Sequence, residues 1–79
     1  MSLIPRRLLW KFIKRGIRKI LNRDIEGITA DQRSQILDGL EDLYLAGDAT
    51  EEAVVGVLVG AGIDAEVAAD VAAVIIVLM

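Results

Sequence analysis

Eight of the nine Lys and Arg residues in this 79-residue chain lie within positions 1–23, a stretch without a single Asp or Glu. So many like charges in so short a segment have to be spread over a solvent-facing surface, and an amphipathic helix provides one. The apolar residues agree. Leu9, Ile13, Ile17, Ile20 and Leu21 recur at the i, i+4, i+8, i+11, i+12 spacing of one helical face. Trp10 flanks that stripe and Leu8 and Phe12 stand at its boundary, while Arg7, Lys11, Lys14, Arg15, Arg18 and Lys19 gather on the other side. The spacing predicts a helix over about residues 3–23. Ser2 is able to cap it, and Pro5 is tolerated in a first turn, where its missing N–H costs little.

From Asp24 onward the balance reverses, with twelve acidic residues against Arg33 alone. Asp24 to Ile28 reads as a turn, with Gly27 free to take positive φ. Thr29-Ala30-Asp31-Gln32 has the form of a capping box. The helix it opens runs to about Ala46, with Ile36, Leu37, Leu40, Leu43 and Tyr44 on one face and Gly47 placed to end it. Gly39, inside that helix, marks a close contact. Asp48 or Thr50 caps a third helix that reaches about Gly60 and is closed by Gly62, and Asp64 caps a fourth that runs to the end. The β-branched run Val74 to Val77 also fits a strand. The alanine stripe at 65, 68, 69, 72 and 73 favours helix.

With no Cys and no His, the chain has no disulfide and no thiolate or imidazole metal site to staple it. A core this small rarely supplies more than about 3–5 kcal/mol unaided, so stability has to come from helix packing or from assembly. The expected fold is therefore all-α: a cationic amphipathic helical arm (1–23), a turn (24–28) and an acidic Ala/Val-rich three-helix unit (29–79). Gly56 and Gly60 form a GxxxG pattern. Facing Ala65, Ala68, Ala69, Ala72 and Ala73, they are expected to let the third and fourth helices approach closely. The third helix is apolar nearly all round, which places it at the centre of the domain or under another chain.

Catalysis lacks its common equipment, because no Cys or His is present to form a nucleophile–base pair. Asp38, Glu41 and Asp42 read as a solvated helix face, and the glycines match no phosphate-binding fingerprint. The expectation is a non-enzyme without cofactor or metal. The longest apolar runs, Ala53–Ile63 and Val71–Met79, fall short of the about 20 residues a membrane span needs. Lys11 and Lys14 interrupt any signal-peptide core, and the Arg-rich start is too Ser-poor for a transit peptide.

The basic helix is the functional lead. Its apolar stripe either completes the core or lies flat on an anionic membrane, as cations opposite Leu, Trp and Phe do in interfacial helices. The same cations suit nucleic-acid phosphates, although no base-reading or stacking motif accompanies them. Expected partners are copies of the chain or other subunits and an anionic lipid surface, with nucleic acid the main alternative and an acidic adaptor or inhibitor a third. The expected setting is intracellular, membrane-peripheral or within a large assembly such as a virion, as a minor structural component.

Overall fold

The computed structural model describes residues 4–79. The chain is all-α, with helices α1 (Arg6–Asp24), α2 (Ala30–Ala46), α3 (Glu51–Gly60) and α4 (Ala65–Leu78). Val74 to Val77 are helical, so the strand alternative is set aside. The expected cap Ser2 lies outside the described residues.

Helix α1 begins later than its apolar spacing suggests. Pro5 sits at the N-cap with φ −59° and ψ 142°, and its carbonyl accepts from the Leu8 and Leu9 N–H groups at 3.0 and 3.1 Å. The pyrrolidine disfavours helical backbone in the residue before it, so the helix starts just after Pro5 instead of running through it.

The other ends follow local chemistry. Thr29 and Gln32 form the reciprocal capping box, with Thr29 Oγ1 accepting from the Gln32 N–H at 3.1 Å and the Thr29 N–H donating to Gln32 Oε1 at 3.0 Å. Thr50, rather than Asp48, caps α3 by accepting from the Ala53 N–H, and Asp64 caps α4 by accepting from Glu66 and Val67. Gly47 and Gly62 have φ of 76° and 94°. Each ends its helix in the same pattern, with Asp48 N–H donating to the Leu43 carbonyl and Ile63 N–H to that of Leu58.

The helices pack in a closed circuit. Helix α1 lies against α2 and α4, and α3 lies against the same two neighbours, so α1 and α3 face each other across the core. Arg6 at the start of α1 donates to the Tyr44 carbonyl near the end of α2, and Arg33 near the start of α2 donates to Asn22 near the end of α1. These two helices are therefore antiparallel. Gln32 donates to the Ala61 carbonyl just past α3, and a Cβ on Gly39 would stand 2.9 Å from Val57 Cγ1, which makes α2 and α3 antiparallel as well. The close approach expected at Gly39 is this one.

A single cluster of buried side chains joins all four helices. Ile17, Leu21, Ile36, Leu40, Val54, Leu58 and Ile75 are its largest fully enclosed members. Helix α1 thus packs into the same core as the acidic helices. Helix α3 is neither central nor fully covered: Val54 and Leu58 are buried, whereas Gly56, Val59 and Gly60 face outward.

Candidate functional site

Helix α1 presents two faces. The inner one carries Trp10, Ile17, Ile20 and Leu21, all buried, with Ile13 half-buried. Sequence spacing puts Leu9 in this stripe and Trp10 beside it, and the structure reverses the two: Trp10 is 3% exposed and Leu9 36%. The reason lies in α2. The Tyr44 ring packs 5.7 Å from the Trp10 indole, centroid to centroid, and the Arg6 guanidinium lies 4.7 Å over the Tyr44 ring. This aromatic and cationic stack encloses the indole, while Ile13, Ile17, Ile20 and Leu21 keep the inward positions their spacing predicts. The buried Trp10 Nε1 makes no hydrogen bond within the described structure.

The outer face carries the charge. Arg7, Lys11, Arg15, Arg18 and Lys19 are exposed and Lys14 is half-buried. Among the described residues the only ion pair is Arg23 with Asp24, at 2.9 Å. Their mutual hydrogen bond raises the Arg23 pKa and lowers that of Asp24. The acidic helices thus leave the remaining α1 cations without an ion-pair partner.

Apolar side chains interrupt this basic surface. Ile4, Leu8, Leu9 and Phe12 are exposed, Phe12 at 65%. A Cβ on Gly16 would lie 3.2 Å from Leu78 Cδ1, so α4 reaches its end beside Gly16. The turns of α1 before that point carry Leu9 and Phe12, both exposed. Val74, Val77 and Leu78 are exposed at that end of α4.

The small-residue positions divide. Ala68 and Ala72 are fully buried, whereas Ala65, Ala69 and Ala73 are exposed. Gly56 and Gly60 have open space where a Cβ would stand, so the expected contact of the GxxxG face with the alanine stripe does not form within the chain. The α3–α4 hairpin packs instead through Val54 and Leu58 against the Ala68, Val71, Ala72 and Ile75 side of α4. These apolar residues supply the burial, so the glycines are not required for it.

Sequence reasoning missed the surroundings of Arg33. The Arg33 Nη1 donates to Asn22 Oδ1 at 2.7 Å, which folds the guanidinium onto the basic helix. One signal was legible, in that Arg33 is the only cation after residue 23. Among the described residues no three carboxylates or other ligating side chains converge as a metal site, and no helix is long and apolar enough to cross a membrane. No known family model, curated protein or solved structure matches this chain.

Proposed function

We propose that the protein is a small structural or assembly component that lies against an anionic membrane surface through the outer face of α1. In this reading α1 is the cationic binding element and the acidic helices α2–α4 are the body it carries. The observation that supports it most is the mixture on one surface: cations without ion-pair partners beside exposed Ile4, Leu8 and Phe12. Nucleic acid rewards the charge but gives Phe12 nothing to bury in. An anionic bilayer rewards both, at about 1 kcal/mol per basic residue near its surface and about 1.5–3 kcal/mol for a large apolar side chain fully withdrawn from water.

A second role is supported by a different surface. Val59 is exposed on α3 with the open backbone of Gly56 and Gly60, Val74 and Val77 are exposed on α4, and these faces suit packing against neighbouring subunits. A minor component of a virion or other large complex combines both contacts.

The reporter for lipid contact has to be chosen from the structure. Trp10 is already enclosed, so its emission is that of a buried indole before any lipid is added. Phe12→Trp places an indole where insertion occurs. With vesicles of phosphatidylcholine and phosphatidylserine, this variant is expected to show a blue shift, over the unchanged Trp10 signal, that persists as salt is raised. Duplex DNA binding that disappears with salt, with no shift on vesicles, would move the function to phosphate contact.

A further inference from the structure

The chain's last cation is spent in an unexpected place. Residues 24–79 hold twelve carboxylates, yet Arg33 pairs with none of them and turns instead toward α1, where it joins cations of its own sign. Gathering like charges is unfavourable unless something of opposite sign sits among them.

The place where they gather is a cleft of 340 Å³ between α1 and α2, lined by Lys14, Arg18 and Asn22 on one wall and Arg33, Ser34 and Asp38 on the other. Its α1 wall follows the i, i+4, i+8 ridge, so three long polar side chains project from successive turns. The antiparallel pairing fixed by the Arg33–Asn22 bond sets Arg33 at the Asn22 end of the cleft. Asp38 is five residues further along α2, about 7–8 Å away at helical rise, toward Lys14. Arg18, about 6 Å along α1 from Asn22, stands level with Asp38, so the carboxylate neighbours Arg18, while the Arg33 end offers guanidinium donors and the Ser34 hydroxyl. Asn22 orients one guanidinium edge through a single nitrogen, which leaves the other donors of Arg33 free for a ligand.

We infer that the Arg33 end of this cleft is a binding site for a phosphate-class oxyanion, held by Arg33 and the Ser34 hydroxyl, with Arg18 and Lys14 adding longer-range attraction. A planar guanidinium fork matches two oxygens of a phosphoryl group, and a hydroxyl donates to a third. The volume lies near the lower end of the about 300–1,000 Å³ typical of small-molecule sites, which suits one headgroup or one small phosphomonoester. This is a discrete site. It differs from the diffuse attraction of α1 for an anionic surface, with which it shares only the α1 cations.

The test uses the full chain, isotopically labelled. Inorganic phosphate is titrated against chloride at equal ionic strength, and the amide resonances of Asn22, Arg33 and Ser34 are followed. A saturating phosphate response is expected, weakened about tenfold by Arg33→Gln, the loss that goes with removing a charge-assisted hydrogen bond. Ser34→Ala should weaken it too. Arg23→Gln, which removes the same charge outside the cleft, should leave the response in place. In a second arm, vesicles carry phosphatidic acid or phosphatidylserine at matched surface potential. A preference for phosphatidic acid that Arg33→Gln abolishes identifies the ligand as a lipid headgroup, and phosphate saturation without that preference identifies it as a soluble phosphate. A response that chloride reproduces, or that Arg23→Gln weakens as much as Arg33→Gln, overturns the site. Vesicle binding that persists unchanged beside such a failure leaves the surface reading of α1 standing, and saturable phosphate binding without any vesicle binding does the reverse.

Discussion

Two glycines inside helices illustrate how much a single Cβ decides. Gly39 faces both γ-carbons of Val57, at 2.9 and 3.3 Å from where its Cβ would be, and a β-branched side chain in a helix has little rotamer freedom to yield. Gly16 faces only Leu78 Cδ1, at 3.2 Å, the tip of a side chain in the last turn of the chain. Alanine gains about 1 kcal/mol over glycine in a helix interior, whereas overpacking costs about 1–3 kcal/mol. Gly16→Ala is therefore expected to raise the unfolding free energy by about 0.5–1 kcal/mol and Gly39→Ala to lower it by about 1 kcal/mol. Urea unfolding of the two variants checks the pair, and equal shifts of the same sign would contradict the close α2–α3 approach. Leu9 and Trp10 make the complementary point. Adjacent residues of similar apolar character exchange places because Tyr44 provides a partner for an indole, while Leu9 is left partly exposed.

The helices owe their limits to short-range chemistry and their orientation to burial. Thr29, Thr50 and Asp64 each satisfy a first-turn N–H that has no partner within its helix. The Asp64 cap carries the most, because one carboxylate oxygen accepts from both Glu66 and Val67 and anchors the whole of α4. Asp64→Ala should destabilise the protein by about 1 kcal/mol and Asp64→Asn by much less. A thermal melt that does not separate the two would show that α4 is held by packing alone. Helix α1 differs from the rest in having no side-chain cap, no acidic residue in its first turn and four cations before Gly16 besides Arg6 at its start. Its N-terminal half has the dipole and the charges against it. Packing of Trp10 and the Arg6–Tyr44 contacts hold it instead.

At the scale of the whole molecule, charge and grease are arranged so that each has an unmet counterpart. The body extends 43 × 21 × 18 Å, with the basic surface along α1 and the apolar exposure toward Phe12 and the end of α4. Val77 is 82% exposed, the most exposed of the large apolar side chains among the described residues. If the α4 end packs against a neighbouring subunit, Val77→Glu is expected to shift the sedimentation profile toward monomer without changing the helical circular dichroism. A wild-type protein that stays monomeric at high concentration would remove that contact from the proposal. Charge alone does not drive such association, since exposed ion pairs contribute only about 0–1 kcal/mol each. In such an association charge would set which faces meet while apolar burial supplied the affinity.

Four helices, their caps at Thr29 and Asp64, the closing glycines 47 and 62 and the segregation of charge were all legible in the sequence, because each depends on residues within a few positions of one another. The tertiary structure decided what depends on distant chain segments. Tyr44, far along the chain, determines that Trp10 is enclosed. Gly56 and Gly60 look outward because valines and a leucine on the opposite side of α3 bury more apolar surface. Arg33 reaches the basic helix only because α1 and α2 run antiparallel with Asn22 alongside. Periodicity identifies a face, but which neighbour covers that face, and for how many turns, is settled only when helices of unequal length are packed together.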